Sequence, residues 1–319
     1  MKSISELTDF YYKTLYPVLE ELDKQREALK KQIITTAIFY TLIFFGIAFA
    51  LFHHFDFEVL SYLLIFYVAI GGGIYRYLIG DYTDDFKQKI IAPLIKEIDE
   101  NLNYFPELHI PVANFNRSKL FTSRPDKVDG NDYVRGKIDN IEIAFSDFHA
   151  QKKHKDSKGH ESWETIFQGL FIVSDFHKNF KGETIVLPDS AQKVFGELVG
   201  GWLQKNNISR NELVKMDNVA FEKEFVVYST DQIEARYILT PVMMQKLLNY
   251  KKRTKHPIYV SFIGGKIYMA IEYNDDMFEA SIFHSLLEYK IAMQYVATLH
   301  LAIGIVEELK LNQKLWSKL

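Results

Sequence analysis

The sequence predicts an α+β protein in which an N-terminal transmembrane helical hairpin with flanking amphipathic helices precedes a mainly antiparallel α+β cytoplasmic domain. Three patterns predict this class: two long uncharged apolar runs, later strand-like segments separated by turn residues, and a final long helical segment. We divide the chain into an amphipathic cytoplasmic helix (1–32), the transmembrane hairpin (33–80), a stalk helix and linker (81–111) and the α+β domain (112–319).

The overall composition hides this division. The 319 residues include 38 Lys and Arg against 41 Asp and Glu, giving a net charge of -3, and 48% are hydrophobic. The mean hydropathy of -0.10 is that of an ordinary soluble protein. The absence of cysteine excludes disulfide scaffolds, thiolate metal sites and cysteine nucleophiles.

Two apolar runs form the predicted hairpin. Residues 33–52 contain no charge, and twenty helical residues match a hydrocarbon core of about 30 Å. A second run, 59–75, is followed by Arg76 and continues apolar to Gly80. The alternative is a pair of buried helices in a soluble core, but such helices are usually shorter and keep a polar stripe.

The placement of basic residues predicts the orientation of the hairpin. The connecting loop, residues 53–58, contains no Lys or Arg, whereas basic residues flank the other ends of both runs. The positive-inside rule therefore predicts that both termini and the soluble domain lie in the cytoplasm. The flanking basic residues are Lys24, Arg26, Lys30, Lys31, Arg76, Lys87 and Lys89.

Small residues recur at four-residue spacing within both runs, namely Gly46 and Ala50 in the first and Ala69 and Gly73 in the second. Such spacing lets helix backbones approach closely in lipid. We favour packing within one hairpin over oligomerisation, although an oligomer stays compatible with the pattern. The loop pair His53 and His54 offers only two metal ligands, too few for a site.

Apolar stripes at helical spacing flank the hairpin. Because the two helices that leave a hairpin are neighbours, we expect these stripes to face each other in a short antiparallel coiled-coil stalk, with a kink at Pro93. The first stripe is Tyr11, Leu15, Val18, Leu22 and Leu29, and the second is Phe86, Ile90, Leu94, Ile98, Leu102 and Phe105. The proline-containing segment 101–132 then predicts an extended connector.

The soluble domain alternates strand and helix patterns. Val, Ile, Phe and Thr are enriched in the predicted strands, and turn residues separate two predicted hairpins, one centred on residues 156–159 and one on Gly264-Gly265. The predicted strands are 133–148, 163–176, 184–187, 221–229, 258–263 and 266–273. The predicted helices are 191–204, capped by Asp189-Ser190, then 241–250, which starts at Thr240-Pro241, and 283–311.

Searches for catalytic and cofactor motifs find none. The sequence contains no P-loop, no dinucleotide-binding glycine motif after a strand, no nucleophile elbow and no H-E-x-x-H. The stretch 126–132 resembles a calcium loop but has the wrong register for acidic ligands. His149 and His160 could approach across the predicted hairpin, yet surface histidines explain them better. We therefore predict no cofactor or metal, and catalytic residues stay unknown.

Two basic clusters are candidate contacts for an anionic lipid or an anionic partner. A basic cytoplasmic patch near a bilayer gains about 1 kcal/mol per Lys or Arg. The alternative is a pair of solvated loops, and nucleic acid is not expected because no reader motif occurs. The first cluster, the hairpin-tip cluster, is Lys152, Lys153, Lys155 and Lys158; the second, the helix-end cluster, is Lys251, Lys252, Arg253 and Lys255.

Further charged residues lie beside predicted turns, where we expect structural roles. They are Asp175, His177 and Lys181 in one stretch and Glu222, Glu224, Glu234 and Arg236 in another.

Four long segments, in the same order, are similar to the bacterial domain of unknown function 3137 family. That resemblance implies two N-terminal spans, a cytoplasmic α+β domain and location in the bacterial inner membrane; it supplies no activity, cofactor or catalytic residue. The segments are GLFIVSDFHKNFKGETIVLPD (169–189), FEKEFVVYSTDQIEARYILTP (221–241), IYVSFIGGKIYMAI (258–271) and LHLAIGIVEELKLNQKLW (299–316).

Three functions compete. The first is a non-enzymatic, membrane-anchored interaction or scaffold module that binds a protein or the membrane surface, motivated by the anchor, the stalk and the missing motifs. The second is a membrane-tethered enzyme with an unrecognised pocket for a lipid or small molecule. Transport through the two spans is disfavoured, since neither carries an intramembrane charge pair.

Overall fold

The computed structural model describes residues 3–52, 57–138, 141–176, 181–189, 212–273 and 278–316. The chain forms two compact units. Residues 2–98 and 278–297 make a helical unit, and residues 99–277 and 298–319 make a sheet unit. The helical unit therefore takes in a segment that lies nearly two hundred residues after its other helices, whereas the sequence-based division placed that segment in the α+β domain.

The N-terminal part of the helical unit consists of helices joined by short breaks. Ser3 and Glu6 form a capping box at the start of the first helix, in which each side chain accepts the backbone N–H of the other residue. Pro17 lies in the first turn of the second helix, where the backbone N–H that proline lacks would have no partner within the helix. The helices are α1 (Ile4–Lys13), α2 (Tyr16–Phe52), α3 (Phe57–Phe86) and α4 (Ala92–Ile98), with a π-helical turn at Lys87–Ile91 between the last two.

Helices α2 and α3 are long and apolar enough to cross a membrane. Only 6% of the most apolar 18-residue window of α2 is buried, and 0% of that of α3. Phe39, Phe49 and Phe66 are 63%, 76% and 64% exposed. Exposed apolar surface of this extent is unlike a soluble core helix and fits a lipid-facing pair.

Pro93 is accommodated without a break in the chain of helices. A proline cannot donate to the carbonyl four residues earlier, and its ring clashes with that carbonyl. The preceding turn is π-helical, and the Ala92 N–H donates to the Lys87 carbonyl five residues back. The expected kink is therefore a π-turn, which inserts one extra residue into the helix.

The stalk stripes are mostly buried, and the helices that carry them contact each other, α1 with α4 and α2 with the π-turn. In the first stripe, Val18 and Leu29 are only half-buried, whereas Leu19 and Arg26, which were not predicted to belong to it, are buried. The buried set on the N-terminal side is Leu7, Tyr11, Leu15, Leu19, Leu22 and Arg26. The buried set on the other side is Phe86, Ile90, Ile91, Leu94, Ile95 and Ile98.

The sheet unit is built on one antiparallel sheet. Its path is β1-β3-β4-β5-β10-β9-β6-β8-β7, and β2 pairs with β4 off this path. The strands are β1 (Asn103–Phe105), β2 (Lys127–Asp129), β3 (Tyr133–Ile138), β4 (Ile141–Lys155), β5 (Glu161–Asp175), β6 (Glu183–Pro188), β7 (Glu212–Val214), β8 (Phe225–Ser229), β9 (Ile258–Ile263) and β10 (Lys266–Glu272). The α+β class with mainly antiparallel strands is thus confirmed.

Both predicted hairpins are present. The β4–β5 turn is closed by Asp156, whose carboxylate accepts the N–H groups of Lys158 and His160. Gly264 and Gly265, with φ of 57° and 74°, make the two-residue β9–β10 turn that suits the twist of antiparallel strands.

The chain from residue 112 onward also forms helices, and some differ from expectation. Residues 219–222 are helical rather than the start of a strand, and 232–238 form a helix capped by Asp231. The predicted helix 191–204, with its cap residue Ser190, lies outside the described residues. The helices are α5 (Val112–Ser118), α6 (Val219–Glu222), α7 (Gln232–Ile238), α8 (Pro241–Thr254) and α9 (Tyr289–Trp316).

The expected helix 283–311 begins later, at Tyr289. Residues 278–288, which we call the strap, are non-helical and belong to the helical unit. The expected connector 101–132 is also more ordered than predicted, since it contains β1, α5 and β2 and supplies Ile110, Phe115 and Leu120 to the sheet core.

Candidate functional site

The best-defined polar cluster of the helical unit ties the strap to α2. The Asp23 carboxylate accepts hydrogen bonds from Arg26 Nε at 2.8 Å, from Ser285 Oγ at 2.9 Å and from the Leu286 N–H at 3.0 Å. Arg26 donates in turn to the Ile282 carbonyl at 3.0 Å. Since the two residues lie one turn apart on α2, their side chains share a face, and together they bind the strap backbone at two points.

The two charged side chains of this cluster are largely buried. The side chains of Asp23 and Arg26 are 16% and 4% exposed. Burial alone would raise the pKa of Asp23, but the hydrogen bonds from Arg26, Ser285 and Leu286 outweigh it and hold the pKa below its ordinary value. The hydrogen bond with Asp23 likewise raises the pKa of Arg26. Both groups are therefore charged at neutral pH.

Two further contacts fix the strap. The hydroxyl of Tyr11 donates to the Leu286 carbonyl at 2.9 Å, and burial raises the pKa of Tyr11, so it stays a neutral donor. Lys87, at the start of the π-turn, lies 3.4 Å from Glu279, and its side chain is 4% exposed. The N-terminal helices and the π-turn thus hold the strap through side chains that are nearly all buried.

Within the predicted membrane region, aromatic residues join α2 to α3. The rings of Tyr40 and Tyr67 stack at 4.7 Å, and the Tyr40 hydroxyl donates to the Tyr67 carbonyl at 2.9 Å. Thr41 and the Tyr67 hydroxyl are 2.7 Å apart. Because lipid offers no hydrogen-bond partners, these contacts satisfy polar groups inside the pair.

The four small residues predicted to pack the helices do not take part in these aromatic contacts. A Cβ built on Gly46 or Gly73 would meet nothing within 4 Å, whereas one on Gly71 would lie 3.3 Å from the Tyr40 ring. Ala50 and Ala69 are exposed. A packing role for Gly46, Ala50, Ala69 and Gly73 stays a prediction.

The hairpin-tip cluster lies on the outer part of the β4–β5 ribbon and is compensated by acids. Lys152 is 3.0 Å from Asp126, and Lys153 is 2.7 Å from Glu161 and 5.8 Å from the ring of Trp163. Lys155 and Lys158 form no ion pair within the described part of the chain. With Asp156 and Glu164 also present, four lysines share this tip with four carboxylates.

The helix-end cluster keeps a surplus of positive charge. Lys251 lies 2.6 Å from Glu224 and 5.5 Å from the Phe225 ring, and Arg253 is 5.4 Å from the ring of Tyr250. Lys252 and Lys255 are exposed. This cluster ends α8, where cations also stabilise the negative end of the helix dipole.

The histidines of the β4–β5 ribbon do not converge. His149 is 3.1 Å from Thr165, whereas His160 lies 3.0 Å from Asp156 in the turn. The ribbon register separates them by about six residues, or roughly 20 Å. The favoured interpretation of the two as separate surface histidines agrees with this spacing. Among the described residues, no group of three or more His, Asp or Glu is placed to hold a metal ion.

Charged residues beside turns make structural contacts. Glu234 accepts the N–H groups of Lys181 and Gly182, and Glu222 accepts that of Met216. Arg236 donates to the Lys215 carbonyl, and Asp175 pairs with Lys266 at 2.6 Å. His177 and the pair His53 and His54 lie outside the described residues.

Comparisons with known proteins confirm the family resemblance over part of the chain. Residues 165–311 match the family described as "Protein of unknown function (DUF3137)". A crystal structure of the mycobacterial trehalose monomycolate transport factor A, TtfA, is similar with a TM-score of 0.36 and 11% identity, covering 65% of this chain and 93% of that one. A TM-score this low establishes neither fold nor function. No curated protein matches the chain.

Proposed function

We propose that this chain, whose residues 165–311 match the DUF3137 family, is a membrane-anchored, non-enzymatic interaction module of the bacterial inner membrane. The main support for a membrane anchor is the exposed apolar surface of α2 and α3. Only 6% of the most apolar window of α2 is buried, and 0% of that of α3. Exposing that apolar surface to water is unfavourable in free energy, whereas the hydrocarbon core of a bilayer removes this penalty.

The proposed topology has both termini and the sheet unit in the cytoplasm. Lys24, Lys30 and Lys31 precede the first apolar run, and Arg76 follows the second, whereas the loop 53–58 contains neither Lys nor Arg. Arg26 and Lys87 count less toward orientation, since both are buried in ion pairs.

Single-cysteine labelling tests this topology, because the natural sequence has no cysteine. In intact cells with a permeable outer membrane, an impermeant maleimide is expected to label Asp56→Cys but not Lys158→Cys. Both should react after lysis. Labelling of Lys158→Cys alone in intact cells would reverse the orientation. Release of the unlabelled chain into the soluble fraction by alkaline carbonate would overturn the anchor itself.

The proposed contact surface is the helix-end cluster, and its proposed ligand is an anionic lipid surface. Within the described part of the chain Lys252 and Lys255 form no ion pair, and Glu224 pairs with Lys251, whereas carboxylates match the lysines of the hairpin-tip cluster in number. Each surplus cation near an anionic surface contributes about 1 kcal/mol at moderate salt.

Flotation of the full chain in nanodiscs with added vesicles tests the contact. Binding to phosphatidylglycerol vesicles, but not to phosphatidylcholine vesicles, is expected at low salt and should fall as salt rises. Lys252→Glu with Lys255→Glu should abolish it, whereas the matched pair Lys155→Glu with Lys158→Glu should keep it. Equal losses in both pairs, or binding to neither vesicle type, would contradict the proposed surface.

A further inference from the structure

An open groove of about 240 Å³ lies between α2 and α3. Its α2 side is formed by residues around Ile33, Ala37 and Tyr40, and its α3 side by residues around Gly71, Gly72 and Leu78. The volume exceeds the roughly 150 Å³ of an apolar cavity that accommodates benzene. The groove is therefore large enough for hydrocarbon.

The groove exists because of two local features. The stacked rings of Tyr40 and Tyr67 hold the helices apart, and glycines replace side chains on the facing surface of α3. A Cβ on Gly72 would meet nothing within 4 Å, so the space beside it is open. The Tyr40 hydroxyl is satisfied by the Tyr67 carbonyl, which leaves an apolar lining.

The position of the groove matches one bilayer leaflet. On α2 it extends from Ile33, the first residue of the apolar run, to Tyr40, a rise of about 11 Å. One leaflet contributes about half of a hydrocarbon core of ~30 Å. The groove thus begins at the edge of the leaflet beside the charged stalk and follows most of its depth.

We propose that this groove binds one acyl chain of a phospholipid from that leaflet. The proposal rests on the membrane placement of α2 and α3 argued above. The groove is continuous with the exposed apolar surface of both helices, so the molecules next to it are lipids.

Charge at the rim complements a phospholipid headgroup. Lys30 lies one turn before Ile33 on the groove side of α2, and Lys31 follows it; neither forms an ion pair within the described residues. Asp81, one turn after Leu78 on α3, is the acid on the opposite rim. A phosphate is therefore expected beside α2, above a chain held in the groove.

Neighbouring glycines supply a matched test. Gly72→Phe adds a ring inside the groove, while Gly73→Phe adds the same ring on the same helix at a residue that does not line it; both positions have open space for a Cβ. The full chain is extracted in mild detergent, and bound phospholipid is counted by native mass spectrometry. We expect about one retained lipid per chain for the natural sequence and for Gly73→Phe. For Gly72→Phe we expect lipid affinity to fall tenfold or more, because the loss of contact with about two methylene groups already lowers affinity by that factor.

A second variant and a crosslink keep the result unambiguous. Ala37→Phe fills the groove from α2 and should reproduce the loss, with circular dichroism checking that both variants keep their helices. A disulfide between two chains carrying Ala37→Cys would show a second copy in the groove and overturn the proposal, as would full lipid retention by Gly72→Phe. Carbonate extraction reports separately on the anchor, so a membrane-inserted chain without bound lipid refutes only the acyl-chain site.

Discussion

A single carboxylate, Asp23, holds the strap by two hydrogen bonds, from Ser285 and Leu286, while a third hydrogen bond, from the buried Arg26, joins it to the charge that it neutralises. Asp23→Ala should leave the Arg26 charge with the half-exposed Glu27 as its carboxylate and with the Ile282 carbonyl, and it removes the acceptor of the Leu286 N–H. We expect a loss of about 2–3 kcal/mol, because an uncompensated buried charge is costly. Thermal unfolding of the full chain in detergent measures it as a drop in Tm of roughly 4–12 °C.

Asp9→Ala is the matched control for Asp23→Ala. Asp9 also lies in an N-terminal helix and pairs with Lys13, but their side chains are 62% and 75% exposed. Exposed pairs contribute about 0–1 kcal/mol, so Tm should hardly change. Similar drops for both variants would show that the Asp23 cluster has no special role.

The lowered pKa of Asp23 predicts how this stabilisation depends on pH. The unfolded chain has an Asp pKa of about 3.9, and the folded value is lower. The contribution of Asp23 is therefore fully present above about pH 5 and is lost as pH falls through the folded pKa. Between pH 6 and pH 3, Tm should fall more steeply for the natural chain than for Asp23→Asn. Parallel curves would contradict this assignment.

At the residue scale, the sequence predicts this buried face only in part: Tyr11, Leu15 and Leu22 are buried as expected, but the charged Arg26 is buried with them. Arg26 was read only as an orientation signal because charged residues usually mark the solvated side of an amphipathic helix. Arg26 is buried against the strap, where it donates to the Ile282 carbonyl 256 residues away, and a local apolar period cannot report such a partner. The spacing of Asp23 and Arg26 was the available signal, and it is common on exposed helices too.

Among the elements, the β5–β10 pair depends on one glycine. Gly169 has a φ of +145°, and a Cβ there would lie 2.1 Å from the Ile271 carbonyl oxygen and 2.7 Å from the Tyr273 nitrogen. Backbone atoms cannot move aside without breaking the ladder. Gly169→Ala should therefore destabilise the sheet unit by about 2 kcal/mol or more, measured as a lower Tm for the loss of β-sheet circular dichroism.

Gly264→Asn provides the comparison within the same sheet. Gly264 occupies a left-handed turn position with φ of +57° and open space at its Cβ, and Asn tolerates that conformation. We expect a change below about 1 kcal/mol. A Gly169→Ala chain as stable as Gly264→Asn would mean that the backbone there relaxes freely.

Elements with local signals were predicted well. Gly264-Gly265 specified a hairpin, and Thr240-Pro241 specified the start of α8, where the Thr240 hydroxyl accepts the Met243 N–H. Errors arose where tertiary contacts override periodicity. The apolar residues of 283–288 predict a helix. In the structure the Leu286 backbone N–H and carbonyl instead bind Asp23 and Tyr11, and the segment is not helical. The groove beside Gly72 likewise follows from the pairing of two helices and not from either run alone.

At the scale of the whole molecule, the helical unit is built from two segments that are far apart in the sequence. The strap and the first turns of α9 complete the helical unit, although the chain enters them from the sheet unit. The N-terminal helices and residues 278–297 therefore form one compact unit. The buried apolar residues that this segment contributes are Phe278, Ile282, Leu286, Tyr295 and Val296.

This dependence predicts the behaviour of a truncated chain. A fragment of residues 99–319 lacks every N-terminal partner of Leu286 and Tyr295, so burial of their side chains, about 1.5–3 kcal/mol each, is lost. Local unfolding near Tyr289 should then become frequent. Limited trypsin digestion is expected to cut after Lys290 at least tenfold faster in the fragment than in the full chain in nanodiscs.

Lys255 supplies the internal reference for that digestion. It is exposed at the end of α8, far in sequence from the segment that changes partners, so its cleavage rate should be the same in both chains. The ratio of the two rates removes differences in enzyme activity and detergent. An unchanged Lys290 rate would mean that residues 278–297 keep their structure without the N-terminal helices. The Asp23 cluster would then be only a local contact.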